Sequence, residues 1–218
     1  MFSFIINRLF VLQIVQGPAH ASEFDLKYTK TREIKATRGN IYDRNGKLLA
    51  SNTLSYSITI EDNSKVETND QRNEVILNMI NIIEQNGDTL DTPYYIKQND
   101  KGQLEFTTTN SKDLTRFKKN AYAYMLDKNK QLSPEQQKAT AQEVYDFLKN
   151  GTGDSYTHMF GISNNYSVKD TLKIMSVRYA LLCNYPKYLP ITVASRVSDT
   201  TVAAIKEASA SLPGVEVQ

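Results

Sequence analysis

Few residues in this sequence have the types and spacing needed for acid–base, nucleophilic or metal chemistry. The 218 residues include two histidines, His20 and His158, and one cysteine, Cys183. The histidines are remote from each other and neither belongs to an HExxH motif. One cysteine cannot build a disulfide framework, a cysteine-rich zinc module or an iron–sulfur cluster. The sequence therefore predicts no metal site and no cofactor.

Residues 154–158 (DSYTH) contain an acid, hydroxyls and a histidine, the residue types of a hydrolytic triad. A triad is defined by its geometry, and no nucleophile elbow or phosphate-binding glycine-rich loop accompanies these residues. We interpret His158 as a loop residue and Cys183, which ends an apolar helix, as a buried and inert thiol. The sequence shows no enzyme active site.

Composition narrows the class of protein. Lys and Arg total 26 against 24 Asp and Glu, and the net charge of +2 is too balanced for a nucleic-acid partner held by bulk charge. With 40% hydrophobic residues the chain can bury a core, and nine Gly and six Pro leave little room for a long flexible linker. We expect a globular α+β chain that binds no nucleic acid.

An apolar segment occupies residues 1–17, with Arg8 near its middle. It is slightly short for a membrane-spanning helix, which needs about 20 apolar residues. Three interpretations stay open: part of a membrane anchor, a secretory signal cleaved at the small-x-small pattern of residues 19–21, or a buried amphipathic helix. The first two place the rest of the chain outside the cytoplasm, whereas the basic stretch at residues 27–47 is weak evidence for the opposite side.

Hydrophobic periodicity and turn residues predict a mixture of helices and strands. Asn45-Gly46 predicts a type I′ hairpin turn, and apolar alternation over residues 54–60 predicts a half-buried strand. Ser133 and the capping pattern after it predict one helix that continues to Gly151. The other predicted helices cover residues 71–85, 113–122, 167–182 and 199–211, and the other predicted strands cover 94–96, 104–108, 191–194 and 215–217.

Residues 38–50, RGNIYDRNGKLLA, resemble the RGxIxDRxGxxLA segment of class B penicillin-binding proteins. In that family the segment lies in the non-catalytic N-terminal module called the pedestal or dimerisation domain. Residues 9–17 resemble the outer end of the family's membrane anchor, and residues 189–194 and 197–217 resemble the later pedestal segment. These blocks occur in the expected order and together span most of the chain.

The resemblance marks a set of residues as a structural motif of the pedestal rather than a catalytic site. They are Arg38, Gly39, Ile41, Asp43, Arg44, Gly46, Leu49, Ala50, Pro213 and Gly214. From the residue types alone, Arg38, Asp43 and Arg44 are expected to form an ion-pair network. The apolar residues between positions 41 and 49 are expected to supply packing contacts.

The resemblance also implies a C-terminal transpeptidase domain with an acylated serine in an SxxK motif, followed by SxN and KTG motifs. No serine here has a lysine three residues later, KTG is absent, and residues 163–165 fit SxN by chance. We expect that domain to lie outside this chain. The implied fold is a β-hairpin-based pedestal with an inserted, mostly helical subdomain. The predicted segments are a partial membrane anchor at 1–17, a first pedestal segment at 18–65, a head-like α-rich insertion at 66–188 and a second pedestal segment at 189–218.

By resemblance, the chain is expected to be the non-catalytic N-terminal region of an enzyme that cross-links peptidoglycan. It would sit in the cell membrane by a single span, with its globular part extracytoplasmic. The implied partners are a SEDS-family glycosyltransferase and other cell-wall-synthesis membrane proteins, its own transpeptidase domain, and a second copy in a homodimer. The alternative is a free-standing secreted or membrane-proximal binding protein with a cleaved signal peptide.

Overall fold

The computed structural model describes residues 2–11, 39–52, 55–61, 66, 68–123, 131–150, 160–184 and 189–218. The cleavage pattern at 19–21, Arg38 and His158 lie outside the described residues. The chain forms two compact units, Met1–Thr53 and Leu54–Gln218.

The first unit combines a helix with a small hairpin. Its elements are helix α1 (Phe2–Phe10) and strands β1 (Ile41–Tyr42) and β2 (Leu48–Ala50). The strands pair antiparallel, with Ile41 opposite Ala50. Helix α1 exposes apolar side chains such as Phe4 and Phe10. Within the described ranges, no helix has both the length and the apolar character needed to cross a membrane.

The second unit contains helices and small antiparallel sheets, which confirms the α+β class. In chain order its elements are β3 (Tyr56–Ile60), α2 (Asn69–Gln85), β4 (Ile96–Gln98), β5 (Leu104–Phe106), α3 (Ser111–Ala121), α4 (Pro134–Lys138), α5 (Ala141–Asn150), α6 (Val168–Cys183), β6 (Ile191–Val197), α7 (Asp199–Glu207), a 3₁₀ turn (Ala208–Ser211) and β7 (Val215–Val217). Most predicted elements are observed at or near their predicted positions.

A three-stranded sheet joins parts of the second unit that are distant in sequence. Strand β3 lies at its centre and pairs antiparallel with β6 on one side and β7 on the other. The predicted polar face of β3 is only partly correct, because Thr59 is as buried as Ile58 and Ile60 on either side of it. The Thr59 hydroxyl donates to the Glu216 carbonyl at 3.3 Å, which satisfies its polar atom inside the sheet.

Helix α2 supplies one wall of the core. Its predicted apolar face is confirmed, since Ile76, Met79, Ile80 and Ile83 are buried and Val75 is partly buried. These residues recur at helical spacing, so one stripe of the helix faces the interior. The helix packs against α6 and α7.

Five aromatic rings form a second centre of packing. Tyr94, Tyr95, Phe106, Phe117 and Tyr179 have ring centroids 5.0–6.3 Å apart, several of them edge to face. Such pairs stabilise beyond the area that they bury. The cluster therefore joins the β4–β5 hairpin and the segment before it to α3 and α6.

The single helix predicted from Ser133 to Gly151 is wrong. Helices α4 and α5 are separate because Ala139 is extended, with φ −51° and ψ 132°. The Thr140 hydroxyl accepts the Glu143 N–H at 3.3 Å, and the Glu143 carboxylate accepts the Thr140 N–H at 2.6 Å. This reciprocal pair is a capping box, and it starts a second helix inside the segment that the Ser133 capping pattern predicted as a single helix.

Candidate functional site

The motif hairpin (residues 39–52) is organised by one carboxylate. Asp43 Oδ1 accepts the backbone N–H groups of Asn45 and Lys47, both at 2.8 Å. The Asp43 carbonyl accepts the Gly46 N–H at 3.1 Å, and the Asp43 N–H donates to the Lys47 carbonyl at 2.9 Å. A single residue thus satisfies most of the polar backbone of the loop.

The loop geometry differs from the prediction. A type I′ turn needs positive φ at two successive residues, but only Gly46 (φ 81°) has it and Asn45 does not. The loop is a β-turn followed by a left-handed glycine, the usual three-residue connection. The Asp43 carboxylate is directed at the loop backbone and forms no ion pair with Arg44 among the described residues, so this part of the predicted network is wrong.

The apolar side chains of the motif hairpin lie on the surface. Ile41 is 61% exposed and Leu49 63% exposed, and Tyr42 and Leu48 are also exposed. No described atom lies within 4 Å of the place that a Cβ at Gly39 would occupy. The apolar side chains of the motif hairpin are therefore exposed rather than packed in a core.

The remaining motif residues, Pro213 and Gly214, lie in the second unit. Gly214 is left-handed (φ 86°) and its carbonyl accepts the Glu61 N–H at 2.9 Å. Leu212, just before them, is 1% exposed, and its carbonyl accepts the Val215 N–H at 3.1 Å. The pair turns the chain from the 3₁₀ helix into β7.

A polar cluster around Asp88 was not predicted from the sequence. Asp88 Oδ2 accepts the Ser198 N–H at 3.0 Å, the Ser198 hydroxyl at 2.9 Å and the hydroxyl of the fully buried Thr201 at 2.5 Å. The Thr201 hydrogen bond, with those of Ser198, lowers the pKa of Asp88, although desolvation opposes the shift. An ionised carboxylate therefore joins the segment after α2 to the start of α7.

A second acid, Asp91, holds the end of β6. Asp91 Oδ2 accepts the Ser195 N–H at 2.6 Å and the Ser195 hydroxyl, and the Asp91 N–H donates to the Val193 carbonyl at 2.7 Å. The β3–β6 register shifts at this point, and the exposed Arg196 has φ 55°. A left-handed non-glycine residue in a β-bulge is strained, and the Asp91 bonds fix the strand beside it.

Of the Asp88 cluster, only Ser198 could be recognised from the sequence. Ser198 was recognisable as a helix cap from its position before an apolar periodic run. Its acceptor Asp88 is 110 residues away in sequence, so no local pattern connects the two. An acidic residue soon after a helix-ending glycine is ordinary loop composition.

Of the residues considered for chemistry, His20 and residues 154–158 lie outside the described ranges, whereas Cys183 and Ser163 are described. The prediction that Cys183 is buried is wrong: the thiol is exposed, and its sulfur accepts the Asn120 side-chain N–H at 3.3 Å. The Ser163 hydroxyl accepts the Asn165 N–H at 3.3 Å, which is a local turn contact. Among the described residues, no group of three or more His, Cys, Asp or Glu is placed to hold a metal ion.

Comparison with known proteins finds a family model and a solved structure that this chain resembles. A family model described as the penicillin-binding protein dimerisation domain matches residues 33–218. Among solved structures, the chain is similar to penicillin-binding protein 2B from Streptococcus pneumoniae (strain 5204), with 18% identity and a TM-score of 0.38. That similarity covers 85% of this chain and 25% of the other, so the chain spans a quarter of that structure's length. No curated protein matches the sequence.

Proposed function

The chain belongs to the penicillin-binding protein dimerisation domain family, and from that premise we propose that it is the non-catalytic N-terminal region of a class B penicillin-binding protein. The whole protein would cross-link peptidoglycan stem peptides through an acyl-enzyme formed in a separate transpeptidase domain. This region would position that domain outside the cytoplasm. The apolar residues 1–17 would contribute to a single-pass membrane anchor.

The observation that carries the positioning role is the three-stranded sheet. Ser57 in the central strand and Gln218 exchange two backbone hydrogen bonds, at 2.8 and 2.9 Å. The direction in which residue 218 points is therefore set by the same strand that follows the motif hairpin. Because β3 is paired along both of its edges, this sheet supports a rigid mount better than a flexible tether does.

The exposed apolar surface of the motif hairpin supports partner binding as part of the same role. Ile41, Tyr42, Leu48 and Leu49 are each about half or more exposed. We propose that a membrane protein of cell-wall synthesis, such as a SEDS-family glycosyltransferase, covers them. A second copy of the chain is the competing occupant of this apolar surface.

Fluorescent penicillin tests the non-catalytic assignment. The 218-residue chain should remain unlabelled, because no serine in it has a lysine three residues later. The full-length protein, labelled in parallel, is the positive control. Covalent labelling of the 218-residue chain that unlabelled penicillin competes away would contradict the proposal.

Co-purification from membranes tests the partner role in the full-length protein. Leu49→Glu should reduce recovery of the glycosyltransferase while leaving the rate of penicillin acylation unchanged. Leu189→Glu is the matched control, because Leu189 is an equally apolar and 47% exposed residue outside the hairpin. Equal loss with both variants would count against the hairpin, and loss of self-association alone would identify a second copy as the occupant.

A further inference from the structure

A cavity of about 480 Å³ lies beside α3, outside every feature used above. Its walls come from one face of α3, the segment at residues 131–132 and α4. Two lysines, Lys118 and Lys119, line it together with hydroxyl side chains such as Thr115 and the amides of Gln131 and Gln137. This volume is in the range of small-molecule sites.

Lys118 is unusually placed for a lysine. It is only 8% exposed, and its Nζ donates to the Gln137 carbonyl at 2.8 Å. The same Nζ lies 5.2 Å from the centroid of the Phe106 ring, within cation–π range. An ammonium group has three N–H donors, so one carbonyl and one ring leave donor capacity at the cavity. Burial lowers the pKa of Lys118, since the charged form loses hydration there.

Among the described residues, the cavity has two lining lysines and no lining acid. Within the same part of the chain, Lys119 Nζ donates to the Gln131 side-chain oxygen at 3.4 Å. Glu143 is close enough to act on the pKa of Lys118, but its carboxylate accepts the Thr140 N–H at 2.6 Å and the Thr140 hydroxyl at 2.9 Å. Glu143 is not among the lining residues, and no acidic side chain of the described chain is. The Thr115 hydroxyl donates to the Ser111 carbonyl at 2.7 Å, and Gln137 Nε2 donates to the Leu132 carbonyl at 3.1 Å. The two ammonium groups are therefore the groups of this lining that suit an anion.

We propose that this cavity binds a small polar ligand through a carboxylate or phosphate group held between Lys118 and Lys119. The hydroxyl and amide side chains would hydrogen-bond the rest of the ligand, and Leu114 would contact its apolar part. This activity lies beyond the proposed scaffold function and does not depend on it.

Titration of the full chain with sodium phosphate and, separately, sodium acetate tests the site by ¹H–¹⁵N NMR at constant ionic strength. At least one probe should shift the resonances of α3 and Gln131 saturably. Lys118→Met and Lys119→Met should each weaken that binding about tenfold or more, because each removes a charge-assisted hydrogen bond. Tighter binding of phosphate or of acetate identifies which group the site prefers.

Lys112→Met is the matched control, since Lys112 is an exposed lysine of the same helix that does not line the cavity. Its dissociation constant for phosphate or acetate should lie within about twofold of the wild-type value, because distant exposed charges are screened by salt. The absence of saturable binding by both probes, or equal weakening by Lys112→Met, overturns the proposal. Circular dichroism melting reports folding. If Lys118→Met unfolds, the partly exposed Lys119→Met alone decides the outcome.

Discussion

Asp43 and Asn99 have the same role in two hairpins of the described chain. Each uses its side-chain Oδ1 to accept the N–H groups two and four residues later, at 2.8 Å for both Asp43 bonds and at 3.0 and 2.9 Å for Asn99. Gly46 and Gly102 follow with φ of 81° and 80°. Because an amide oxygen supports this loop as well as a carboxylate does, hydrogen bonding rather than charge is the property that the loop needs.

Replacing Asp43 tests this equivalence. Asp43→Asn should keep the loop, whereas Asp43→Ala should destabilise the hairpin by about 1 kcal/mol because two backbone donors lose their acceptor. Hydrogen exchange of the Asn45 and Lys47 amides is the measurement, with the Lys101 amide of the other hairpin as an internal reference. Faster exchange in Asp43→Asn equal to that in Asp43→Ala would show that the charge matters after all.

Asp88 gives a pH dependence with a defined sign. Its folded-state pKa is lowered, chiefly by the Thr201 hydroxyl, so the ionised form favours folding above about pH 4, the unfolded value. This stabilisation should be lost as pH falls from there through the folded-state pKa. The difference in free energy of unfolding between wild type and Asp88→Asn should therefore shrink in acid.

The size of the Asp88 effect can be measured at neutral pH. Asp88→Asn should cost about 2 kcal/mol, because three donors lose a charged acceptor. Asp100→Asn, at an exposed loop carboxylate, is the control and should cost within about 0.5 kcal/mol. If the difference in free energy of unfolding between wild type and Asp88→Asn stayed constant from pH 7 to pH 3, that result would contradict the stabilising role of the ionised Asp88 carboxylate.

Arg196 offers a stabilising substitution. Its φ of 55° is costly for a residue with a Cβ and nearly free for glycine, so Arg196→Gly should stabilise the chain by about 1 kcal/mol. Arg196→Gln keeps the Cβ but removes the charge, and it should leave stability unchanged. Chemical denaturation measures both. Destabilisation by Arg196→Gly would mean that the arginine side chain offsets its own backbone strain.

At the scale of elements, two local signals can predict different helix boundaries in the same segment. The sequence does not show which of them the structure follows. The capping pattern at Ser133 predicted one helix to Gly151, yet Thr140 and Glu143 also have the spacing of a capping box. That signal was available from the sequence, and it prevailed because it satisfies donors at a helix start. The α2 face was predictable for the opposite reason, as Ile76 to Ile83 offer a single period with no competing cap.

Thr140 variants test the break between α4 and α5. Thr140→Ala should lower the free energy of unfolding by about 1 kcal/mol, whereas Thr140→Ser keeps the hydroxyl and should be near neutral. Because the Thr140 N–H and hydroxyl lower the pKa of Glu143, Thr140→Ala should also move that pKa upward in an NMR titration. An unchanged Glu143 pKa would argue that the backbone N–H alone is responsible.

Pairings between distant segments were beyond sequence reasoning. Strands were predicted at 54–60, from apolar alternation, and at 191–194, but neither segment indicates that the other is its neighbour in the sheet. The same holds for Asp88 and Ser198. The surface position of Ile41 and the thiol exposure of Cys183 depend on tertiary packing that residue type does not determine.

For the whole molecule, two isoleucines in strands give a direct comparison. Ile58 is fully buried in the central strand of the second unit, and Ile41 is 61% exposed in the motif hairpin. Ile58→Ala should cost about 2–5 kcal/mol through lost burial and a cavity, and Ile41→Ala within about 0.5 kcal/mol. Urea unfolding measures both. Similar losses in the free energy of unfolding for the two variants would contradict the assignment of Ile58 to the core and of Ile41 to the exposed surface.

The central position of β3 also sets the order of events during synthesis. Thr59 contacts Glu216, 157 residues later, and both neighbours of the strand are near the end of the chain. At roughly 5–20 residues per second, β3 emerges about 8 to 30 s before its last partner exists. One edge of β3 is unpaired until β6 is made, and the other until β7 is made, so its isoleucines are uncovered for most of that time and the strand is prone to aggregation in the nascent chain.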